Sequence, residues 1–545
     1  MHSGEKLGQA MRQSSDYDAV FIGSGINSLV GAALLAHEGW QVCVLERNDY
    51  LGGAIRTAEI TTKGFLHEVF SCWHPLFFIS EAYAALGSEL QQQGLSYASS
   101  DLVTATLYPD GQSVIMQRSL ERTMNELERC ALGDGRAWQQ DLNDFERASS
   151  IGFKLLSAEL ASPAGAMLAL RAGLQFHGIR GVIAYAASLL QTSRDWLQET
   201  FSSPKTRGLF SPWVLHTGVG PDAASSGFMN RAIAAVLQNT GLPVPLGGGS
   251  KLVDALVQVI TDHHGACVTN SEVQQIIVSG GRALGVRLNN KDIITAKRAV
   301  VCNVTPPDLY GRLLSETTVP QHLQTEAKRF RFSTRAGMQV HYALSREPQW
   351  EGDERLAKVP VIHLTPGLDG VSRAVNQAER GLLPAIPTIV CGQPAAVDPT
   401  RVPAGNSMLW IQLQEVPSIP QGDGRDEIDT NNGVWTESLR ERYADRIQAI
   451  LSMHIKDFES SIISRVAFSP ADIEASNPNL RGGDIYSGSC ALDQNFIWRP
   501  RPRLTGHKTF IKSLYHIGAS THPGPGLGAG SGIIIAKELL GKKQL

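Results

Sequence analysis

Residues 18–57, DAVFIGSGINSLVGAALLAHEGWQVCVLERNDYLGGAIRT, constrain this chain more than any other stretch. Residues 19–22 form a short β-branched and aromatic run, which predicts a strand buried on both faces. Gly23 and Gly25 then match the first two glycines of G-x-G-x-x-G, where a sharp turn lets backbone approach a pyrophosphate. Ser28 stands at the third position, where glycine normally lets helix and strand pack closely. Asn27 and Ser28 are placed to cap the helix expected over residues 28–39, whose first N–H groups would face phosphates. Gly39 reads as its C′ residue. Residues 41–45 predict a second strand, and Glu46 ends it about 20 residues past the turn, where an acid holds ribose hydroxyls. Strand, turn, helix, strand and acid in that order favour a dinucleotide site over a merely structural βαβ unit.

Length and composition bound the rest. At 545 residues the chain has room for two or three domains. With 42% hydrophobic and 19% charged residues and a net charge of −3, it gives no electrostatic case for nucleic acid. Its seven cysteines (Cys43, Cys72, Cys130, Cys267, Cys302, Cys391, Cys490) contain no C-x-x-C, which points to a reducing, cytoplasmic setting and excludes a dithiol redox motif. Residues 1–15 are polar and read as a flexible tail without a secretory signal. No run of about 20 apolar residues would span a bilayer.

A second glycine pair, Gly52 and Gly53, follows the acid, with Ala54, Arg56 and, before it, Arg47. It reads either as backbone passing a cofactor's phosphates or as a simple surface turn. The whole stretch resembles the N-terminus of the FAD-dependent phytoene desaturase, carotenoid isomerase and amine oxidase superfamily. Within it, the likeness is to the pyridine nucleotide-disulfide oxidoreductase domain-containing protein 2-like branch. The resemblance implies FAD, with a Gly-Gly-Arg-like element after the acid. Ala54 stands where that arginine is usual, so Arg47 and Arg56 are both candidate phosphate partners. The same resemblance implies that residues 64–78 run toward the flavin ring, making Trp73 and His74 wall candidates. The plain alternative is an aromatic core segment with a helix stop at Pro75.

Farther on, residues 102–117 predict a hairpin turning at Pro109-Asp110-Gly111, and Ser119 a helix cap. Residues 138–238 are mostly helical in pattern, with an aliphatic face including Met167, Leu168, Leu170 and Leu174. That face suits core packing, an apolar substrate or peripheral contact with a membrane. After a Pro/Gly boundary at 242–250 the pattern returns to α/β. There the resemblance implies that the backbone of Val273 meets the adenine. His263-His264 at a helix end reads as solvent-exposed rather than as a metal site, and no metal is expected. Residues 336–345 and 407–414 alternate as strands, and 435–454 as an amphipathic helix.

The C-terminal run from 514 is strand, glycine-rich loop and helix (533–540), so backbone N–H groups and a positive helix end are again on offer. By the resemblance, His522 to Gly528, with Gly526, Leu527 and Gly528, lies against the flavin's pyrimidine edge. There the helix end stabilises negative charge on the reduced ring. His74 and His522 are the acid–base candidates.

The expected architecture is α/β: a Rossmann-like FAD-binding domain of the glutathione-reductase/amine-oxidase type, interleaved with an α+β substrate domain. FAD-binding segments are expected at 16–80, 246–309 and 481–545, and substrate segments at 81–245 and 310–480. The expected function is an FAD-dependent dehydrogenase or desaturase. It would move a hydride from a C–H bond of an apolar or amphipathic small molecule to flavin N5, and oxygen or a quinone would reoxidise it. A flavin-dependent saturase or alkene isomerase of the carotenoid/retinoid type is the second reading. A non-catalytic lipid-binding escort of similar fold is the third.

Overall fold

The computed structural model describes residues 16–156, 162–175 and 179–542. The tail expected over 1–15 lies outside them, as do the side chains of Leu168 and Leu174.

Two large sheets carry the fold. In the first, β1 (Asp16–Ile22) runs parallel between β2 (Val42–Leu45) and the strand Ile293–Cys302. Ala266–Val268 adds in parallel beyond β2, and Leu514–His516 pairs in parallel with residues 300–302. Val273–Ser279 and Arg282–Leu288 join as an antiparallel meander at the start of Ile293–Cys302. Residues 19–22 and all of β2 are buried, as expected for parallel strands covered on both faces.

Helix α1 (Ile26–His37) is buried along nearly its whole length, which explains why its sequence is apolar all round. It starts two residues before the expected position. Gly25 is its N-cap and no side chain caps it, so the expected cap by Asn27 and Ser28 is not made. Asn27 Oδ1 instead accepts from Ser531 Oγ at 2.8 Å, tying α1 to the C-terminal helix (Gly530–Leu540). Ser28 Oγ accepts from Asn303 Nδ2 at 3.1 Å. Close helix packing falls to Gly31, where a Cβ would sit 3.3 Å from the Gly532 carbonyl oxygen and from the Phe21 ring.

The second sheet has seven strands among the described residues, in the order Ile462–Phe468, Arg335–Leu344, Ser407–Pro417, Ile389–Gly392, Val361–Leu364, Leu102–Leu107 and Ser113–Gln117. Its two longest strands, Arg335–Leu344 and Ser407–Pro417, are buried at every residue. Leu409, Ile411 and Leu413 pack toward Leu439, Tyr443 and Ile447 of the helix Glu437–Ser452. The alternate residues Trp410, Gln412 and Gln414 line a cavity. The hairpin forms where expected, with Gly111 at φ +78, and Ser119 caps Leu120–Cys130. Pro75 does not stop a helix. It opens the short helix Pro75–Phe78, where a missing N–H costs nothing.

Candidate active site

A cavity of about 380 Å³ runs from the ends of β1 and β2 to the face of the second sheet. Its first end is built by the two glycine loops. Gly23 turns at φ +86, and Gly25 forms an isolated bridge with Gly52. A Cβ at Gly52 would sit 2.5 Å from the Ile55 carbonyl oxygen, and one at Gly25 3.0 Å from Asn303 Nδ2. Side chains would therefore fill the cradle. Ile26 and Asn27 line it at the uncapped start of α1, and neither N–H has an acceptor among the described residues. Orphan amides at a helix N-terminus suit phosphate oxygens.

Glu46 is fixed at the end of β2. Its Oε2 accepts from the Ser24 N–H at 2.9 Å and hydroxyl at 2.7 Å, and Oε1 accepts from the Asn48 N–H at 3.0 Å. Arg312 reaches the same end, donating to the Val273 carbonyl at 3.2 Å and to Asp308 at 2.9 Å. A glycine cradle, orphan helix amides and a held acid at one cleft fit a dinucleotide such as FAD.

The cavity brings together Gly23, Gly25, Asn27, Glu46, Arg47, Gly52, Gly53, Ala54, Val273, Gly526 and Leu527. Ser28, Arg56, Gly528, His74 and His522 are not among its lining residues. Arg56 stacks on the Tyr50 ring, 4.1 Å from its centroid. His74 is fully buried, with Nδ1 3.5 Å from the Tyr97 hydroxyl. Burial, reinforced by the Arg401 charge, pushes its imidazole down to about 3. His522 is buried with its carbonyl accepting from His507 Nε2 at 2.9 Å.

The other end is a chamber walled by Phe70, Trp73, Trp213, Trp410 and Tyr486. Its polar groups are Gln339, Gln412 and Gln414 on the sheet and His216 from the 3-10 turn Ser211–Thr217. Trp73, a wall candidate in the sequence, lines the chamber; sequence reasoning missed the others, and missed Asn303 and Arg312. One signal was present: in residues 407–414 the glutamines and the tryptophan share a parity opposite to the aliphatic residues. The seven cysteines are unpaired, and burial pushes the Cys72 thiol at the cavity wall well above its usual value. Away from the cavity, His263 groups with Glu89 and His37, at 3.3 Å and 2.7 Å from the carboxylate.

The model of the flavin containing amine oxidoreductase family matches residues 29–381. A limonene dehydrogenase polypeptide of Castellaniella defragrans is 25% identical over 97% of this chain and 95% of its own length. Pyridine nucleotide-disulfide oxidoreductase domain-containing protein 2 of Mus musculus is 25% identical over 96% of this chain and 93% of its own. Among solved structures, cyclohexylamine oxidase from Brevibacterium oxydans shares the fold, with a TM-score of 0.57 and 15% identity over 96% of this chain and 98% of that one. With the family model covering well over half of its length, the chain belongs to the flavin containing amine oxidoreductase family and is an FAD-dependent oxidoreductase.

Proposed function

We propose that the protein is a dehydrogenase or desaturase that takes a hydride from a C–H bond of an apolar or amphipathic small molecule. The observation that carries this reading is the chamber's wall: aromatic and aliphatic side chains, with neutral glutamines and one histidine as its polar groups. The acidic residues lining the cavity, Glu46, Glu272 and Asp308, belong to the nucleotide end. The chamber thus offers no carboxylate to a cationic substrate. Bound FAD supplies the hydride acceptor at flavin N5. The chain's own residues hold the cofactor at the glycine cradle and at Glu46, orient the substrate, and keep water out with Trp73, Trp213 and Trp410. Oxygen or a quinone takes the electrons.

The division into FAD-binding segments 16–80, 246–309 and 481–545 and substrate segments 81–245 and 310–480 is proposed with it. In its support, β1 and β2, the strands between 266 and 302, and Leu514–His516 pair in one sheet. Gly528, Ser28, Arg47 and Arg56 remain proposed cofactor neighbours, and His74 and His522 proposed acid–base groups. Substitution of both histidines by Ala with full flavin and full turnover would remove them. Peripheral membrane contact is proposed through Met167, Leu170, Ile183 and Leu190, each more than half exposed. Cosedimentation with anionic vesicles tests it. No described helix is long and apolar enough to cross a membrane.

The decisive experiment is anaerobic mixing of the flavin-loaded protein with a panel of cyclic and acyclic alkenes, ketones and amines. Bleaching of the flavin band by apolar members, restored by oxygen or a quinone, is the expected result. Bleaching by amines alone would overturn the substrate reading. A protein that purifies colourless and takes up no FAD would overturn the whole of it.

A further inference from the structure

Gln339, Gln412, Val390 and His363 lie opposite one another on four adjacent strands of the second sheet. Residues directly opposite share a face, and Gln339 and Gln412 of this row line the chamber. Gln339 donates to the Phe70 carbonyl at 3.1 Å, whereas the amide of Gln412 has no partner among the described residues. His363 supports His216: the two Nε2 atoms are 3.1 Å apart and the rings meet edge to face. Trp213 packs on both, with ring centroids at 4.6 and 4.9 Å. His216 lines the cavity, and its Nδ1 has no partner among the described residues.

Burial pushes His216 down to about 3 and His363 well below its ordinary value, so both rings are neutral. Each then carries one hydrogen, and one of the facing nitrogens donates to the other. If His216 donated, His363 would hold its hydrogen on Nδ1, which is buried without a partner. If His363 donates, only a bare ring nitrogen is left there, and His216 carries its hydrogen on Nδ1, toward the cavity. Orphaned buried N–H groups are the rarer defect, so the second arrangement is preferred.

We propose that His216 is the hydrogen-bond donor that orients the substrate, and that the substrate is an apolar molecule carrying a carbonyl or hydroxyl oxygen rather than a bare hydrocarbon. His363 is the positioning residue that fixes the donor tautomer. The inference rests on the aromatic chamber being the substrate site of the flavoenzyme proposed above.

The test is titration of the flavin-loaded protein with carvone and limonene, two probes of one carbon skeleton differing by a carbonyl oxygen. Tryptophan fluorescence and the visible flavin spectrum are read together. Carvone is expected to bind roughly tenfold more tightly, the weight of one well-placed hydrogen bond in a dry site. His216→Phe should bring carvone to the affinity of limonene and leave limonene within about twofold, as a lost donor and not lost packing requires. His216→Gln should retain part of the preference, and His363→Leu should lose it. Equal binding of both probes, binding of neither, or a preference that survives in His216→Phe would each overturn the proposal. Failure to take up FAD would overturn the flavoenzyme reading separately, because tryptophan fluorescence reports the preference without flavin.

Discussion

Glu415 is fully buried one residue beyond Gln414, on the opposite side of the same strand, and neither carboxylate oxygen has a well-formed hydrogen-bond partner. Burial pushes its carboxyl up to about 7, with the Thr388 hydroxyl and Arg335 offsetting only part of the penalty. Its unfolded value is about 4.3. The folded state therefore binds a proton the unfolded state has released. That contribution to stability is complete below about pH 4 and is lost as pH rises through about 7. Glu415→Gln should match the wild type at low pH and exceed it above neutrality, by up to about 4 kcal/mol. Thermal midpoints across that range check it, and a constant difference at all pH values would refute it. Gly52 makes a second case. A methyl there would meet the Ile55 carbonyl oxygen at 2.5 Å, on a backbone at φ +111. Gly52→Ala should remain folded yet lose most of its flavin, read as the ratio of visible to ultraviolet absorbance. Gly23, Gly25 and Glu46 were legible because a turn and the acid ending the next strand are local features. Gln339, Trp213 and His216 were not, because the contacts that bring them to one chamber join residues more than 100 positions apart.

At the scale of elements, α1 shows where a motif and its packing part company. The fingerprint placed strand, helix and acid correctly. It did not anticipate that the helix would leave its N-terminus uncapped and use Asn27 to hold the C-terminal helix. That partner lies about 500 residues away, and only the fold brings it near. Ser531 Oγ, besides donating to Asn27, accepts from the Gly518 N–H at 2.9 Å, so one hydroxyl joins α1, the loop after the last strand and the last helix. Asn27→Ala should remove an acceptor from a buried network and cost about 1–3 kcal/mol. Hydrogen exchange should rise first in the C-terminal helix, whereas a uniform rise would argue against a local junction. The strand expected at 407–414, which runs on to Pro417, was legible by its alternation, and the face that alternation gives to Trp410 and the glutamines was open to inference. What those residues face depended on the pairing of strands distant in sequence, which no local pattern encodes.

Across the whole molecule, a buried ion cluster joins three distant segments. Arg401, fully buried, donates to Glu68 at 2.7 Å, to Asp398 at 3.1 Å and to the Pro245 carbonyl at 2.8 Å. Glu68 also accepts from the Gly249 N–H at 2.6 Å, and Asp398 from the Gly247 N–H at 2.7 Å. The two acids respond differently to one arginine. Burial dominates at Glu68 and holds its carboxyl up. At Asp398 burial acts the same way, but bonds from Thr400, Gly247 and Arg401 together outweigh it and bring the carboxyl below its usual range. Nothing in residues 64–68 or 398–401 announced this pairing, since each acid alone reads as a surface residue. Arg401→Met keeps the side chain's length and removes its charge, leaving buried carboxylates uncompensated. The expected loss is about 3–5 kcal/mol near neutral pH. A depressed carboxyl stabilises the fold above its unfolded value of about 3.9 and ceases to do so as pH falls through its lower folded value. The gap between wild type and variant should therefore narrow on acidification, because a protonated Asp398 no longer needs the arginine. Denaturant midpoints at neutral and acidic pH measure that gap. A gap that stayed constant or widened toward acid would mean that packing around Arg401, and not its charge, joins the three segments.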